Sequence, residues 1–568
     1  MRTETSARRR LTTGAVLALL AFVLYAPAFW WGAPHATAPD RAQAWGVDDE
    51  APLGALGQVY STLTRQRNEG QNLGYPLLSY FVIVGAQSPY LLYLKATGKL
   101  GAASPDYPFG LRDPVRALAV LTWIAHAVSV LYAVGVVVAA YVGAKDLWGE
   151  RAARVTALIV LVSYPSFYYA RTSNPDMAVL FFTAAALAVY ARCLTRGITS
   201  TRAAWLGVFV GAALATKEPS FASFVALPFV LVLLHARQRK EQGERPGEAW
   251  KIPAICAAAA ILTFGMGSGA FLDPGRYVAH LEFVRQRSAE IAASGVSFQQ
   301  GYPRTVAGSA NLMGDIARRL ADAMTVPGLL AAAAGLVYAA LRERRALLFA
   351  LPAATYLAIL IGARSSQLRY VMPAAFTLAF FAARLFDMLM EREDIWRRLA
   401  TAGAALVIGL GLLRGLDLTA AMLQDSRYAA ARWVVANLQS GDRIDYFGPA
   451  QKLPPLPAAV SSEQALPYLG GPARQALGEP EAEQVRRRWR ENPPAAVLVI
   501  PDYRASTLPY GGAMPPAIYD ELNNGSLGFA LDTLVQSRPL FPWVRRPALD
   551  YPTVNPPIRI YRSRVTAP

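Results

Sequence analysis

The stretch RRRLTTGAVLALLAFVLYAPAFWW, residues 8–31, decides the fold class. Three arginines precede an apolar run of about twenty residues, which is the length that spans a bilayer as an α-helix. The run ends in Phe29, Trp30 and Trp31, which resemble the aromatic belt of a membrane interface. Small residues follow, so a cleaved signal peptide is the alternative interpretation. The length of the run favours a retained helix, and the arginines then place the N-terminus in the cytoplasm.

The composition of the whole chain also predicts an integral membrane protein. Of its 568 residues, 54% are hydrophobic and only 17% are charged, and the mean hydropathy is +0.25. The two cysteines, Cys193 and Cys256, cannot form a disulfide framework and are interpreted as small buried residues. Four histidines without close spacing do not indicate a metal site. The net charge of +17 comes from basic clusters at helix ends, which is typical of membrane topology rather than of nucleic-acid binding.

The apolar runs predict about eleven spanning helices. They are expected near residues 11–31, 115–142, 153–169, 177–194, 203–216, 219–236, 252–271, 324–341, 346–362, 371–388 and 399–415. Alternate connections are rich in Lys and Arg, as the positive-inside rule requires of cytoplasmic loops; examples are KDLWGERAAR at 145–154 and RERR at 342–345. The remaining loops and the C-terminus are therefore expected outside the cytoplasmic membrane.

The predicted fold is mainly α, with a small outer domain. We expect a transmembrane module over residues 1–415, which includes outer loops at 32–114 and 272–323, and an α/β domain over 416–568. Within the first outer loop, the apolar residues 75–94 are interrupted by Gly85, Gln87, Ser88 and Pro89, so interfacial helices are expected there. The tail is predicted to form a helix at 426–438 and strands at 495–500 and 558–561.

Several charged residues fall at the outer ends of the predicted helices. Each has an ordinary interpretation: Asp176 begins a helix, Lys217 pairs with Glu218, and Arg369 with Tyr370 anchors a helix at the interface. The acids of the first outer loop are individually best read as a solvated surface, and so are the remaining cations. The full set comprises Asp48, Asp49, Glu50, Arg171, Asp176, Lys217, His280, Arg285, Arg369 and Tyr370; Arg287 also lies in the second outer loop.

Taken together, these side chains indicate chemistry at one membrane face. Cations at headgroup level bind a phosphate, and a carboxylate accepts a proton from a nucleophile. This arrangement suits a reaction on a lipid-linked anionic substrate. A transporter would instead place polar residues and broken helices near the bilayer midplane, where these helices are largely free of charge.

The motifs in this order resemble the GT-C glycosyltransferases, specifically the protein O-mannosyltransferases and the bacterial aminoarabinose transferases that modify lipid A. The resemblance covers about residues 10–415. It rests on Asp49-Glu50 after the first helix, on Tyr75-Pro76 later in the same loop and on Asn174-Pro175-Asp176. It also rests on GVFVGAALATKEPS at 207–220 and on LRYVMP at 368–373.

The resemblance implies that a sugar moves, with inversion, from a polyprenyl-phosphate carrier to an acceptor at the outer face. Asp49 would be the base, Asp48 and Glu50 would support it, and Asp176 would orient the acceptor or a cation. Carrier phosphate would be held by Lys217, Arg369 and Tyr370, with Arg171, His280 and Arg285 as weaker candidates. The family is often metal-independent, but the loop acids with Asp176 are also suited to Mg²⁺ or Ca²⁺, so the metal stays open.

One departure from the family pattern bears on the substrate. The aminoarabinose transferases carry a lysine shortly before the proline of this loop, whereas this chain has Leu73-Gly74-Tyr75 before Pro76. That difference argues against aminoarabinose as the sugar. A protein, a lipid and a polysaccharide all remain open as acceptors. The alternative functions are a transporter or flippase of lipid-linked substrates and a ligase of lipid-linked glycans.

Overall fold

The computed structural model is mainly helical, with one small sheet. It describes residues 2–66, 73–243, 249–294, 302–393, 395–467, 477–501, 514–551 and 553–564. The helices are α1 (Arg2–Tyr25), α2 (Gly54–Thr64), α3 (Leu78–Ala96), α4 (Pro114–Trp148), α5 (Glu150–Leu161), α6 (Ser166–Tyr169), α7 (Pro175–Arg196), α8 (Ser200–Thr216), α9 (Leu227–Glu241), α10 (Lys251–Gly267), α11 (Pro274–Ser294), α12 (Val306–Met324), α13 (Val326–Arg342), α14 (Leu347–Gly362), α15 (Met372–Met390), α16 (Ile395–Leu423), α17 (Ser426–Asn437), α18 (Glu479–Glu491) and α19 (Pro516–Asn524). The strands are β1 (Arg443–Phe447), β2 (Ser461–Gln464), β3 (Ala496–Val499), β4 (Phe529–Val535) and β5 (Ile558–Ser563).

The described part of the chain contains enough long apolar helices for a multi-pass membrane protein. Six candidate spans are present among these residues, formed by α4, α7, α9 with the turn before it, α14 with the turn before it, α15 and α16. The pair α12 and α13 adds a seventh candidate that is bent by 107° at its break. Residues 12–25 and α10 are shorter apolar helices. The predicted total of eleven spans and the outward orientation stay predictions.

The predicted third span, residues 153–169, is wrong as a single helix. α5 ends at Leu161, and a separate short helix, α6, begins at Ser166. Pro165 explains the break, because a proline disfavours helical backbone in the residue before it. The apolar composition of this segment predicts one continuous helix, but the helix ends before Pro165.

The apolar part of the first outer loop forms one continuous helix, α3, although the sequence predicts that this apolar stretch is interrupted. Pro89 lies inside α3, and Gln87 on the turn before it is fully buried. The Gln87 amide donates to the carbonyls of Leu121 at 3.0 Å and Pro52 at 3.2 Å. Tertiary hydrogen bonds thus hold a sequence whose local signals indicated a break. Its location at the membrane interface stays a prediction.

The chain divides into two compact units. The transmembrane unit comprises Met1–Phe29, Gly54–Ala86 and His126–Gly415. The sheet unit comprises Trp30–Leu53, Gln87–Ala125 and Leu416–Pro568. Much of the first outer loop therefore belongs to the same unit as the C-terminal sheet.

Within the transmembrane unit, α8 and α10 pack with their backbones in close approach. A Cβ atom added to Gly207 would lie 2.1 Å from the Cys256 carbonyl oxygen, and one added to Gly211 would lie 2.4 Å from that of Ala260. Glycines four residues apart on one helix face permit this spacing in membrane helices. The contact fixes α8, whose C-terminal end carries Lys217.

The sheet unit is built on five strands among the described residues, in the order β2-β1-β3-β5-β4. β1 pairs in parallel with β2 and β3, whereas β5 runs antiparallel to both β3 and β4. One face packs on α18 and α19, and the other packs on α17. The helix predicted at 426–438 and the strands predicted at 495–500 and 558–561 are confirmed by α17, β3 and β5.

The first outer loop joins the sheet unit through buried polar contacts. The Arg41 guanidinium is 6% exposed and donates to the Val460 carbonyl at 2.9 Å and to the Ser462 hydroxyl at 3.0 Å. Trp31 Nε1 donates to Asp425 at 3.0 Å. These bonds tie the segment that carries the acids of the first loop to the C-terminal strands.

Candidate active site

Asp176 is positioned by the start of α7. Asn174 caps this helix, since its side chain accepts a hydrogen bond from the Asp176 amide at 2.9 Å, and Pro175 occupies the first helical position. The helix start predicted from Asn174-Pro175-Asp176 is therefore confirmed. The carboxylate is only 5% exposed, so its charge requires partners within the protein.

Lys217 provides the first partner. It follows the last turn of α8, and its Nζ lies 2.7 Å from Asp176 Oδ1. The ordinary interpretation paired Lys217 with its neighbour Glu218, whereas the structure joins it to a carboxylate 41 residues away. The rings of Tyr75 and Tyr370 lie 5.3 Å and 5.4 Å from the same Nζ. Both distances are within the range of cation–π attraction.

Arg369 provides the second partner, from the turn that precedes α15. Its NH1 lies 3.6 Å from Asp176 Oδ2, and its Nε donates to Gln367 at 2.7 Å. The Tyr370 ring also faces this guanidinium, with its centroid 5.3 Å from Cζ. The structure thus brings together Asp176, Lys217, Arg369, Tyr370 and Tyr75, all of which the sequence had singled out.

Four of these side chains line a pocket with an empty volume of about 390 Å³, open solvent included: Asp176, Lys217, Arg369 and Tyr370. Its wall combines the charged groups with apolar residues of α7 and α15 and with the Tyr356 side chain of α14. The lining residues are Asp176, Val179, Leu180, Lys217, Pro219, Ser220, Tyr356, Arg369, Tyr370, Met372 and Pro373. Such a pocket suits a ligand with a compact anionic group attached to an apolar chain. Pro76, predicted beside Tyr75, is buried outside this set of lining residues.

His280 makes a different contact from the one predicted. It is 1% exposed, its Nε2 faces Glu218 Oε1, and its Nδ1 faces the Leu73 carbonyl. Both partners are acceptors, so the doubly protonated imidazolium satisfies them best. Burial lowers the pKa of His280, but the hydrogen bond and charge of Glu218 and the Leu73 carbonyl raise it by more. His280 therefore links the backbone carbonyl of Leu73, which is near Tyr75, to the side chain of Glu218, which is next to Lys217.

Two other predicted cations lie elsewhere in the transmembrane unit. Arg171 is fully buried and donates to the carbonyls of Phe167 at 2.7 Å, Leu24 at 2.8 Å and Tyr25 at 3.0 Å. Its guanidinium thus satisfies the end of α1, which is a structural role. Arg285 is exposed and pairs with Glu282 at 2.6 Å on its own helix, α11. The side chain of Arg287 lies outside the described residues.

The acids of the first loop belong to the sheet unit. Asp48 has a positive φ of 54°, which marks a turn, and Asp49 Oδ1 accepts from the Ala51 amide at 3.3 Å. Glu50 is only 7% exposed. This segment is consequently a folded turn rather than the solvated loop that its three charges indicate.

The metal site that the sequence left open stays a hypothesis. The described residues contain no group of three or more His, Cys, Asp or Glu side chains placed to hold an ion. Asp176 faces Lys217 and Arg369, which already compensate its charge. A divalent cation would have to compete with both.

Sequence reasoning missed two residues of this region and gave a third, Glu218, the wrong partner. Gln367 orients Arg369, Tyr356 lines the pocket from the middle of α14, and Glu218 holds His280. Gln367 lies two residues before Arg369 and was detectable by its proximity. Tyr356 lies in an apolar helix and carries no sequence signal.

The fold and pocket describe a multi-pass membrane protein with a charged pocket at helix ends. Residues 117–263 match the family model described as dolichyl-phosphate-mannose-protein mannosyltransferase. This match includes α7 and α8, which carry Asp176 and Lys217, and it confirms over that segment the resemblance to the GT-C glycosyltransferases. No curated protein matches the chain.

Solved structures of such transferases are also similar to this chain. ArnT from Cupriavidus metallidurans in the apo state has 14% identity and a TM-score of 0.43 over 98% of each chain. The same protein bound to undecaprenyl phosphate has 12% identity and a TM-score of 0.41, also over 98% of each chain. The Archaeoglobus fulgidus oligosaccharyltransferase complex with Zn and sulfate has 14% identity and a TM-score of 0.46, over 75% of this chain and 56% of that one.

Proposed function

We propose that this protein is a membrane glycosyltransferase that transfers a sugar from a polyprenyl-phosphate carrier to an acceptor at the outer face of the cytoplasmic membrane. One observation carries the proposal: Lys217 and Arg369 converge on a single buried carboxylate in a pocket with apolar walls. The described lining of the pocket holds two cations and one carboxylate, and its formal charge is therefore positive. A buried positive charge of this kind favours the binding of a phosphate.

The charge balance suits the carrier at both ends of the reaction. A sugar-loaded carrier is a phosphodiester with one negative charge, which the pocket matches. When the bond between the anomeric carbon and the phosphate oxygen breaks, the released monoester gains charge, up to about −2 at neutral pH. Lys217 and Arg369 then stabilise the leaving group more strongly than the donor, which is the requirement for lowering the barrier.

Asp176 acts as a positioning residue in this proposal. Its hydrogen bond with Lys217, and its attraction for Arg369, hold two long side chains in one geometry before the carrier binds. The proton transfer is assigned to the acids of the first loop instead.

Asp49 is the proposed base, supported by Asp48 and Glu50. This assignment rests on the order of the sequence motifs. Asp49 takes the proton from the acceptor hydroxyl while the acceptor oxygen attacks the anomeric carbon. The bond to the carrier phosphate breaks from the opposite side, so the configuration inverts in a single displacement.

Transfer of a labelled sugar in membranes tests the proposal. Asp49→Asn should lower the rate by about 10²–10⁴-fold, the usual contribution of a general base, without weakening carrier binding. Lys217→Met should weaken carrier binding as well. Asp106→Asn, at an exposed residue of the sheet unit, is the matched control and should retain full activity.

Two outcomes would contradict the proposal. If Asp49→Asn and Asp176→Asn both transfer at the normal rate, the site assignment is wrong. If vesicles move a lipid-linked sugar across the bilayer without transferring it, the protein is a flippase. Mass spectrometry of envelope glycans and glycoproteins, with and without the protein, would then identify the sugar and the acceptor.

A further inference from the structure

A proline-rich loop of the sheet unit, residues 538–546 (RPLFPWVRR), is fastened to the end of a spanning helix. Asp417, on the last part of α16, accepts from the Leu540 amide at 2.6 Å and lies 3.5 Å from Arg546 NH1. The Ser537 hydroxyl, just before the loop, donates to the Gln424 carbonyl just after α16. The loop is thus held at a defined height along this helix.

That height coincides with a bilayer boundary. Arg397 and Arg398 are exposed near the start of α16, and residues 399–413 contain no charge. The next charge is Arg414, one turn before Asp417, and it donates to the Ala321 carbonyl at 3.4 Å. From Arg398 to Asp417 is 417 − 398 = 19 residues, or about 29 Å of helix. This length matches the roughly 30 Å hydrocarbon core of a membrane. A span that begins at Arg398 therefore places Asp417, and the loop bonded to it, at the expected boundary between hydrocarbon and headgroups.

The loop presents apolar and basic side chains outward at this height. Trp543 is 73% exposed and Leu540 is 52% exposed, and Leu423 at the end of α16 is 43% exposed. Trp543 lies at the tip of a turn, in which the Val544 amide bonds the Phe541 carbonyl at 3.0 Å. Its ring packs on Phe541 with centroids 5.8 Å apart. Tryptophans at the tips of such turns are typical of membrane interfaces.

The backbone of the loop is also suited to a partly dehydrated environment. Pro539 and Pro542 have no amide hydrogen, so two donors that would need a partner are absent. Arg538 and Arg545 are exposed beside the aromatic residues. Their charges complement anionic headgroups.

From these contacts we infer that the 538–546 loop is a membrane-docking surface for anionic lipid. Trp543 and Leu540 enter the leaflet at the Asp417 end of α16, and Arg538 and Arg545 bind its headgroups. The inference concerns how the sheet unit meets the bilayer, and it does not depend on the proposed transferase activity.

Site-directed fluorescence tests this inference with the full-length protein in lipid nanodiscs. Trp543→Cys is labelled with bimane; the two native cysteines are buried and should not react. Phosphatidylcholine that carries a spin label at the fifth acyl carbon should quench position 543 severalfold more than Gln484→Cys, an exposed site on α18. Iodide in the water phase should show the reverse order.

The lipid requirement is tested by composition. Replacing phosphatidylglycerol with phosphatidylcholine should reduce the quenching at position 543, and the double change Arg538→Gln and Arg545→Gln should remove the difference between the two lipids. Equal iodide quenching at 543 and 484, with no lipid quenching, overturns the inference. Protection from both quenchers also overturns it, because a protein would then cover the loop. A normal size-exclusion profile confirms that each variant folds.

Discussion

Two buried ion pairs, one in each unit, differ in how completely they are satisfied. In the sheet unit, Asp425 and Arg427 are both inaccessible and bond at 2.7 Å and 2.8 Å. Trp31 Nε1 and the Asn555 amide donate to the same carboxylate, and Arg427 stacks on Trp45 at 3.8 Å. In the transmembrane unit, Asp176 Oδ2 makes no hydrogen bond with any residue that the structure describes, and Arg369 lies 3.6 Å from it.

This difference separates a structural pair from the pair that we propose to be functional. The Asp425 pair has ample hydrogen bonding on both carboxylate oxygens, so it fixes one conformation. The Asp176 group is looser and opens into a pocket. A pocket lined by two cations and one carboxylate suits a second anion, which is the property that the proposed carrier-binding site needs.

The largest expected effect breaks the structural pair. Arg427→Met should lower the free energy of unfolding of the sheet unit by about 3–5 kcal/mol, since it leaves Asp425 as an unpaired buried charge. Arg432→Met, at an exposed position of the same helix, should change it by less than about 0.5 kcal/mol. Thermal or denaturant unfolding of the two variants measures the contrast. Similar stability of both would refute the structural role of the pair.

The next effect concerns the functional pair. Lys217→Met should lower the transfer rate by about 10²–10³-fold, because it removes one group that stabilises the leaving phosphate. Membrane assays of sugar transfer measure this loss, and Lys240→Met, exposed at the end of α9, is the control. A variant that unfolds instead of losing activity would place Lys217 in the same structural class as Arg427.

A smaller effect is expected from the contact that supports Lys217. Gly207→Leu should destabilise the packing of α8 on α10 by about 1–3 kcal/mol, as overpacking of a core does. Gly57→Leu is a control, since a Cβ there meets no atom within 4 Å. Carrier affinity and thermal stability should fall together in the first variant and stay normal in the second. Normal carrier affinity in Gly207→Leu would show that α8 does not position Lys217.

The smallest effect is a pH dependence centred on His280. Its pKa is raised in the folded protein, so the ion pair with Glu218 stabilises the fold fully below the unfolded pKa, about 6.5. That contribution is lost as the pH rises through the folded pKa. Arg276 and Tyr277 are the other titratable groups close to this histidine. The thermal midpoint of the native protein should fall over this interval, and that of His280→Gln should not; equal slopes would contradict this role.

The sequence predicted the ends of elements better than the partners of charged residues. Asn174-Pro175-Asp176 contains all the information for a helix start, because capping is local. The partner of Lys217 lies 41 residues away, and that of His280 lies 62 residues away, so spacing in the sequence could not reveal either. The break at Pro165 was readable, whereas the continuity of α3 through Pro89 depends on tertiary bonds of Gln87.

The bond from Trp31 to Asp425 also constrains the order of biogenesis. These residues are 394 positions apart, so one end of the sheet unit is made long before the other. At about 5–20 residues per second, the interval is roughly 20–80 s. During that time the partners of Trp31 and Arg41, which are Asp425, Val460 and Ser462, have not yet been synthesised. Strand β5 lies between β3 and β4, so these five strands can pair completely only after β5 has been made.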